Sequence, residues 1–325
     1  MSRRVLDSAG ERLAIECSLP WVTTLIEESA PGELRTAEPV DASITVSVEV
    51  DRSPFATTDW ELLARGARRR EGEVVVENAC TSGFDLHVQC TPDRAEFRYR
   101  WRPPARDRAA ARILRSRFHL LARATLLQYP ALWWAGTRGR APLHASACIA
   151  DTSTPLLTAP SGVGRSTVVL RELEDGGRST GDNLAVGDGT TIWGLVEPLR
   201  VDGGLGRRMP HGRRELPLES RVRALEPDSL VVLTRGAADE ATLSACSSET
   251  AARSLVTSTY MAGELRRFWS FAATLSAGTG FGPSHPPVTE VANAFAAKLP
   301  CFSLALGRRH GPRLAQLLET LKVAA

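Results

Sequence analysis

The chain has 325 residues, 43% of them hydrophobic and 24% charged, with a formal net charge of +3. That length favours two domains over one, and the apolar fraction suits packed cores rather than disorder. The near balance of charge removes broad electrostatic binding to nucleic acid, and no apolar run approaches the ~18 residues that span a bilayer. The start, MSRRVLDSAGERLAIEC, has no apolar stretch before Asp7 and Glu11 and does not read as a secretory signal. Cys17, Cys80, Cys90, Cys148, Cys246 and Cys301 lie far apart without a C-x-x-C pair, so neither a structural zinc site nor a disulfide scaffold is expected, and a reducing cytoplasm is the simpler setting. Of the 40 basic residues only Lys298 and Lys322 are lysines, leaving 38 arginines. Arginine is a planar fork and lysine a compact point charge, so the skew matters wherever a motif has a basic position.

Residues 12–28 mix apolar and polar positions, and Pro20 is expected to break any long helix. ASITVSVEV (42–50) alternates as a strand, and GEVVVENA (72–79), FDLHVQC (84–90) and AEFRYRW (95–101) follow with turn-like segments between them. A small antiparallel sheet with one or two helices is the expectation for this stretch. Residues 107–128 read as one amphipathic helix, with Ile113, Leu114, Phe118, Leu121 and Leu126 as its apolar stripe and a basic remainder that reads as a solvated face in preference to a surface for an acidic partner. In the second half, ASACIA (145–150) and PLLTA (155–159) read as strands, 165–175 as a helix ending at Gly176-Gly177, and NLAVGDGTTIWGL (183–195) as a strand pair with Asp188 in its turn. SLVVLTR (229–235) reads as a central strand, and helices at 289–299 and 311–323 flank the strand CFSLAL (301–306). This alternation predicts an α/β nucleotide-binding core.

One segment carries the chemistry. Ala159-Pro160-Ser161-Gly162-Val163-Gly164-Arg165-Ser166-Thr167 lies between a predicted strand and a predicted helix, the context that a phosphate-binding loop requires. Gly162 and Gly164 would let backbone N–H groups converge on phosphate oxygens, and the helix start would add its dipole. Ser166 stands where the loop hydroxyl normally holds Mg²⁺. Ala159 replaces the first glycine, and Arg165 replaces the lysine that normally reaches the β/γ-phosphates.

Leu143-His144-Ala145-Ser146 precedes the loop by one hairpin, and Gly181-Asp182-Asn183-Leu184 follows its helix. The order of histidine, hairpin, S-G-x-G-[basic]-S, helix and paired acidic positions resembles the C-terminal domain of HPr kinase/phosphorylase. It is similar in particular to the divergent HPr-kinase-like proteins found beside peptide-modifying genes. The resemblance covers roughly 140–310. It implies an α/β P-loop C-terminal domain at 136–325, joined through a linking helix at 106–135 to a smaller N-terminal α+β module at 1–105. By the same resemblance, His144 and Asp182 would orient or deprotonate a serine hydroxyl, and Ser161, Gly162, Gly164, Arg165, Ser166 and Thr167 would hold ATP. Ser166 and Asp182 would hold Mg²⁺. Asn183 takes the second acidic position and supplies no charge, so weak or absent binding of ATP and Mg²⁺ is expected.

Two readings follow. Ala159, Arg165 and Asn183 are three departures in one pocket, and they favour a catalytically degenerate protein that recognises a precursor (leader) peptide and serves peptide-modifying enzymes in ribosomal peptide biosynthesis. The retained Ser166, His144 and Asp182 support an active ATP-dependent kinase acting on a serine or threonine of a peptide or protein. HPr kinases form hexamers, so the resemblance allows a homo-oligomer, but the divergence of this sequence leaves its oligomeric state open. Among the other segments, Gly206–Arg214 is a flexible basic loop that either contacts an acidic peptide or is merely solvated. Gly278–Gly282 reads as a mobile connection, and Trp133 and Trp134 as core or domain-junction aromatics rather than a base-stacking platform. His87, His119, His285 and His310 show no metal spacing.

Overall fold

The computed structural model describes residues 3–36, 42–203, 206–209, 212–308 and 313–324. The chain divides into two compact units. Residues 1–139 form one together with 208–212 and 267–286; residues 140–207, 213–266 and 287–325 form the other.

The first unit is built on a nine-stranded sheet among the described residues. Its strands are β1 (Arg4–Ser8), β2 (Glu11–Cys17), β3 (Arg35–Thr36), β4 (Ile44–Glu49), β5 (Glu61–Ala64), β6 (Ala67–Arg70), β7 (Glu73–Val76), β8 (Phe84–Cys90) and β9 (Ala95–Trp101), in the order β3-β1-β2-β4-β9-β8-β7-β6-β5. The sheet is larger than the sequence suggested, and it is mixed: β4 runs parallel to both β2 and β9. The missed strands have weak patterns. β2 reads ERLAIEC, buried at Leu13, Ala14 and Ile15 in succession, and the β5–β6 hairpin is rich in arginine and largely exposed. Pro20 does not break a helix but opens one, α1 (Pro20–Ser29), because a first-turn residue has no N–H partner to lose.

The long helix expected over 107–128 is interrupted. α2 (Ala105–Ile113) and α3 (Arg115–Arg123) meet at Leu114, whose φ of −102° and ψ of 53° are not helical. A π-turn over Ala124–Gln128 leads into α4 (Tyr129–Gly136). The stripe breaks with it: Ile113 is 79% and Leu114 48% exposed, whereas Leu126 is fully buried. Two of the basic positions turn inward, since Arg123 and His119 are buried, and His119 Nε2 lies 3.3 Å from Glu28. These helices belong to the first unit rather than standing apart as a linker. So does α7 (Phe268–Thr279), which packs on β6 and β7. Gly278 is therefore part of a helix that ends at Gly280 (φ 76°), not of a mobile connection; a Cβ on Gly278 would stand 2.5 Å from Val74. Trp133 and Trp134 are core residues of this unit, and Trp133 Nε1 donates to Ser276 Oγ.

The second unit is an α/β arrangement. Its strands are β10 (Ala141–Leu143), β11 (Ala145–Ile149), β12 (Pro155–Thr158), β13 (Arg178–Ser179), β14 (Ala185–Gly187), β15 (Ile192–Gly194), β16 (Leu199–Val201), β17 (Arg207–Arg208, whose second residue is counted with the first unit), β18 (Arg214–Leu216), β19 (Ala224–Leu225), β20 (Ser229–Arg235), β21 (Thr242–Ala245) and β22 (Cys301–Leu306). Its helices are α5 (Arg165–Glu174), α6 (Ser248–Met261), α8 (Val288–Lys298) and α9 (Leu314–Ala324). The main sheet runs β13-β11-β12-β20-β22-β21, with β20 parallel to both β12 and β22. Strand β20 is apolar and buried from Ser229 to Leu233, as expected of a strand covered on both faces. A second sheet, β10-β14-β15-β19, carries the Asp188 turn, where the Asp188 carboxylate accepts from the N–H groups of Thr190 and Thr191.

Candidate functional site

Residues 159–164 join β12 to α5, so the glycine loop sits at the C-terminal end of a central parallel strand, where open α/β sheets present ligands. Gly162 (φ 84°) and Gly164 (φ 129°) adopt left-handed values that a side chain would strain, and Gly164 is the N-cap of α5. The Gly162 carbonyl accepts from Arg235 at 2.8 Å. Ser161 and Thr167 are exposed and Ser166 is half-buried.

Arg165 behaves differently from the lysine whose place it takes. Its side chain is buried and points beneath the loop into main-chain carbonyls. Nε donates to Asp182 O (3.2 Å), one terminal nitrogen to His144 O (2.6 Å), and the other to both Asn183 O (3.1 Å) and Asn183 Oδ1 (3.0 Å). Four of the five donors of a guanidinium are thus committed to the protein. Burial pushes its pKa down, against the opposing pull of the Asp182, Glu197 and Glu264 charges.

His144 and Asp182 come together around this guanidinium. His144 is buried, and its Nε2 lies 3.0 Å from Asn183 Oδ1, the oxygen that Arg165 also donates to; Nε2 therefore carries the proton and Nδ1 the lone pair. Burial, and then the positive charge of Arg165, hold His144 down to about 3, so the ring stays neutral at ordinary pH. Asp182 is fully buried; its Oδ2 accepts from the Arg200 N–H at 3.0 Å, and its Oδ1 has no partner among the described residues. His144 Nδ1 and Asn183 Nδ2 are likewise without partners.

Three further residues complete the cluster, and no sequence spacing pointed to them. Glu197, buried, accepts from the N–H groups of Asn183 and Leu184, both at 2.6 Å. Arg200 pairs with Glu264. Burial alone would raise Glu264, but Arg200 overrides it and holds the carboxyl down to about 2; Arg200 itself is raised, its own burial being outweighed by Glu264 and then Glu197. Residues 181–184 are consequently tied from several sides, since Ser146 and Ser179 also donate to Gly181 O. Among the described residues no group of three or more His, Cys, Asp or Glu is placed to ligate a metal, and Asp182 is closed to solvent.

The remaining expectations separate from this cluster. Met209 in the basic loop is buried, Arg213 pairs with Asp202, and Arg214 donates to Gly206 O; Pro210 and His211 lie outside the described residues. His87 binds Glu73 and Arg98, His285 faces the Pro286 carbonyl, and His310 lies outside the described residues. Lys298 donates to Thr190 Oγ1 in the β14–β15 turn. All six cysteines are free, and among the described residues no helix is long and apolar enough to cross a membrane.

No family model matches the chain, and neither does any curated protein. Among solved structures, an HPr(Ser) kinase/phosphatase from Coxiella burnetii superposes on 29% of this chain and 65% of its own, at 16% identity and a TM-score of 0.23. The chain thus matches less than two thirds of that protein's length.

Proposed function

We propose that this chain is a catalytically degenerate, HPr-kinase-like P-loop protein that recognises a precursor peptide and acts as an accessory to peptide-modifying enzymes in ribosomal peptide biosynthesis. The observation that carries the non-catalytic half is Arg165. A guanidinium that spends four donors on the carbonyl side of residues 144, 182 and 183 cannot also neutralise a transferring phosphoryl group. The neutral, enclosed His144 and the sealed Asp182 agree with that reading, because a general base must reach the hydroxyl it deprotonates. The peptide half rests on the motif resemblance and on an available edge: β5 ends the nine-stranded sheet and is largely exposed, with Leu62 at 64%, so an extended peptide could add as a further strand.

The second reading, an active peptide or protein kinase, draws on the open loop: nothing stands within 4 Å of where a Gly162 Cβ would be, leaving room over the loop backbone. Calorimetric titration with Mg·ATP, followed by phosphate-transfer assays on candidate peptides, separates the two. No binding at millimolar ATP is expected; turnover that disappears in Asp182→Ala would establish the kinase instead.

A further inference from the structure

A cavity of about 260 Å³ opens beside the glycine loop within the second unit. One wall is the flank of α5 bearing Thr167, Val168, Arg171 and Glu172; the others are the ends of β20 and β22 and the first turn of α9. Residues 164–172 lie along one helix, so the slot runs for about 12 Å away from the loop. The apolar part of its lining is aliphatic, from Val163, Val168, Leu304, Leu306, Leu314 and Leu317, and among the described residues no aromatic ring or side-chain amide lines it.

Its charge is one-sided. Arg171, Arg235 and Arg308 line the slot and pair with no carboxylate among the described residues, whereas Arg313 is held 3.2 Å from Asp175 and 3.8 Å from Asp151. Glu172 is buried with Oε1 accepting the Leu314 N–H at 2.9 Å, so its charge serves the start of α9. Arg235 gives one donor to Gly162 O and keeps the rest of its fork. The main chain at the strand ends is already engaged, Gly236 N–H with Leu306 O and Arg308 N–H with Ala238 O.

We propose that this slot binds a short aliphatic carboxylate, its chain lying along α5 against the leucines and valines and its carboxylate meeting the arginine forks. Bidentate guanidinium recognition suits a carboxylate, and the aliphatic walls suit a saturated chain. Among the described residues a nucleotide base would find no ring to stack on and no side-chain amide to read it, and a peptide backbone would find the strand-end donors and acceptors occupied. The proposal stands apart from the peptide-recognition reading, because it uses none of Arg165, His144 or Asp182.

Calorimetric titration of the full chain with octanoate, octanol and octylamine tests it. Octanoate should bind, with octanol weaker and octylamine absent. Arg235→Gln and Arg308→Gln, verified as folded by circular dichroism, should each weaken octanoate by about tenfold, the scale of one charge-assisted contact. Ala241→Leu, which fills the slot, should weaken octanoate and octanol together; if that variant does not fold, the arginine variants decide. Absence of octanoate binding at millimolar concentration, affinity unmoved by the arginine variants, displacement by ATP, or tighter binding of N-acetyl-leucyl-leucine would each overturn the assignment.

Discussion

Replacing Arg165 distinguishes an internal brace from a phosphate ligand. If the guanidinium ties residues 144, 182 and 183 together, Arg165→Met strips four hydrogen bonds from buried oxygens and removes a cation that acts on Asp182, Glu197 and Glu264. Removing one member of a buried charge cluster costs about 3–5 kcal/mol. For a domain of this size class that is a fall in melting temperature of roughly 10 °C. Arg165→Lys is the sharper variant, because it restores the usual loop residue. A single ammonium cannot span the fan of oxygens that three guanidinium nitrogens reach, so at least one buried carbonyl loses its donor, at about 1–3 kcal/mol. Urea denaturation followed by circular dichroism, with and without Mg·ATP, measures both. Stability within about 0.5 kcal/mol of the parent in both variants, together with a change in nucleotide affinity, would refute the brace and make Arg165 a phosphate ligand after all.

Other expectations follow from the same cluster and its surroundings. His144 is held to about 3 in the folded protein against 6.5 as its ordinary value, so the unfolded chain takes up the proton first; stability falls from pH 6.5 downward and stops falling near 3. The slope from this group is about 1.4 kcal/mol per pH unit, and Glu264 adds its own loss only between 4.5 and about 2. His87 is also lowered, chiefly by burial, so the His144 share is read as the slope that disappears between pH 6.5 and 4.5 in His144→Gln. Glu197→Gln, which weakens the acceptor for two 2.6 Å hydrogen bonds, should cost about 2 kcal/mol in chemical denaturation. Tyr99→Phe, which deletes the 2.7 Å hydrogen bond to the Thr125 carbonyl in the π-turn, should cost about 1 kcal/mol by the same measurement. Gly194→Ala should be far worse than Gly162→Ala, since its Cβ would stand 1.9 Å from Thr180 O while that of Gly162 meets open space; comparing soluble yield and melting temperature tests the pair.

Strong local patterns were legible in the sequence and weak ones were not. The strands at 44–49, 84–90, 95–101, 229–235 and 301–306 carry alternating or continuous apolar runs, and the structure places strands there. β2 has no clean alternation and β6 is ARRR, so half of the first sheet was invisible; β4 pairs in parallel with β2 and β9, and no short turn signals such a register. The break at Leu114 was hidden because α2 and α3 share helix-favouring alanine, leucine and arginine, while the discontinuity lies in one residue's dihedrals. At the site, motif order brought His144, Arg165, Asp182 and Asn183 to notice. Glu197, Arg200 and Glu264 escaped because they reach the cluster only through the fold, up to 120 positions from His144 in the case of Glu264.

The return of residues 267–286 to the first unit has a consequence for synthesis. As the chain emerges from the ribosome, the sheet of β1–β9 is complete long before α7, the helix that covers β6 and β7, has been made. Until residue 278 has been made, Val74 faces the place that Gly278 will occupy without it. A protein cut between residues 139 and 140 would keep that bare face permanently. Neither half can therefore be dissected out as a contiguous fragment, and the nascent first unit is a natural client for chaperones that shield exposed apolar sheet.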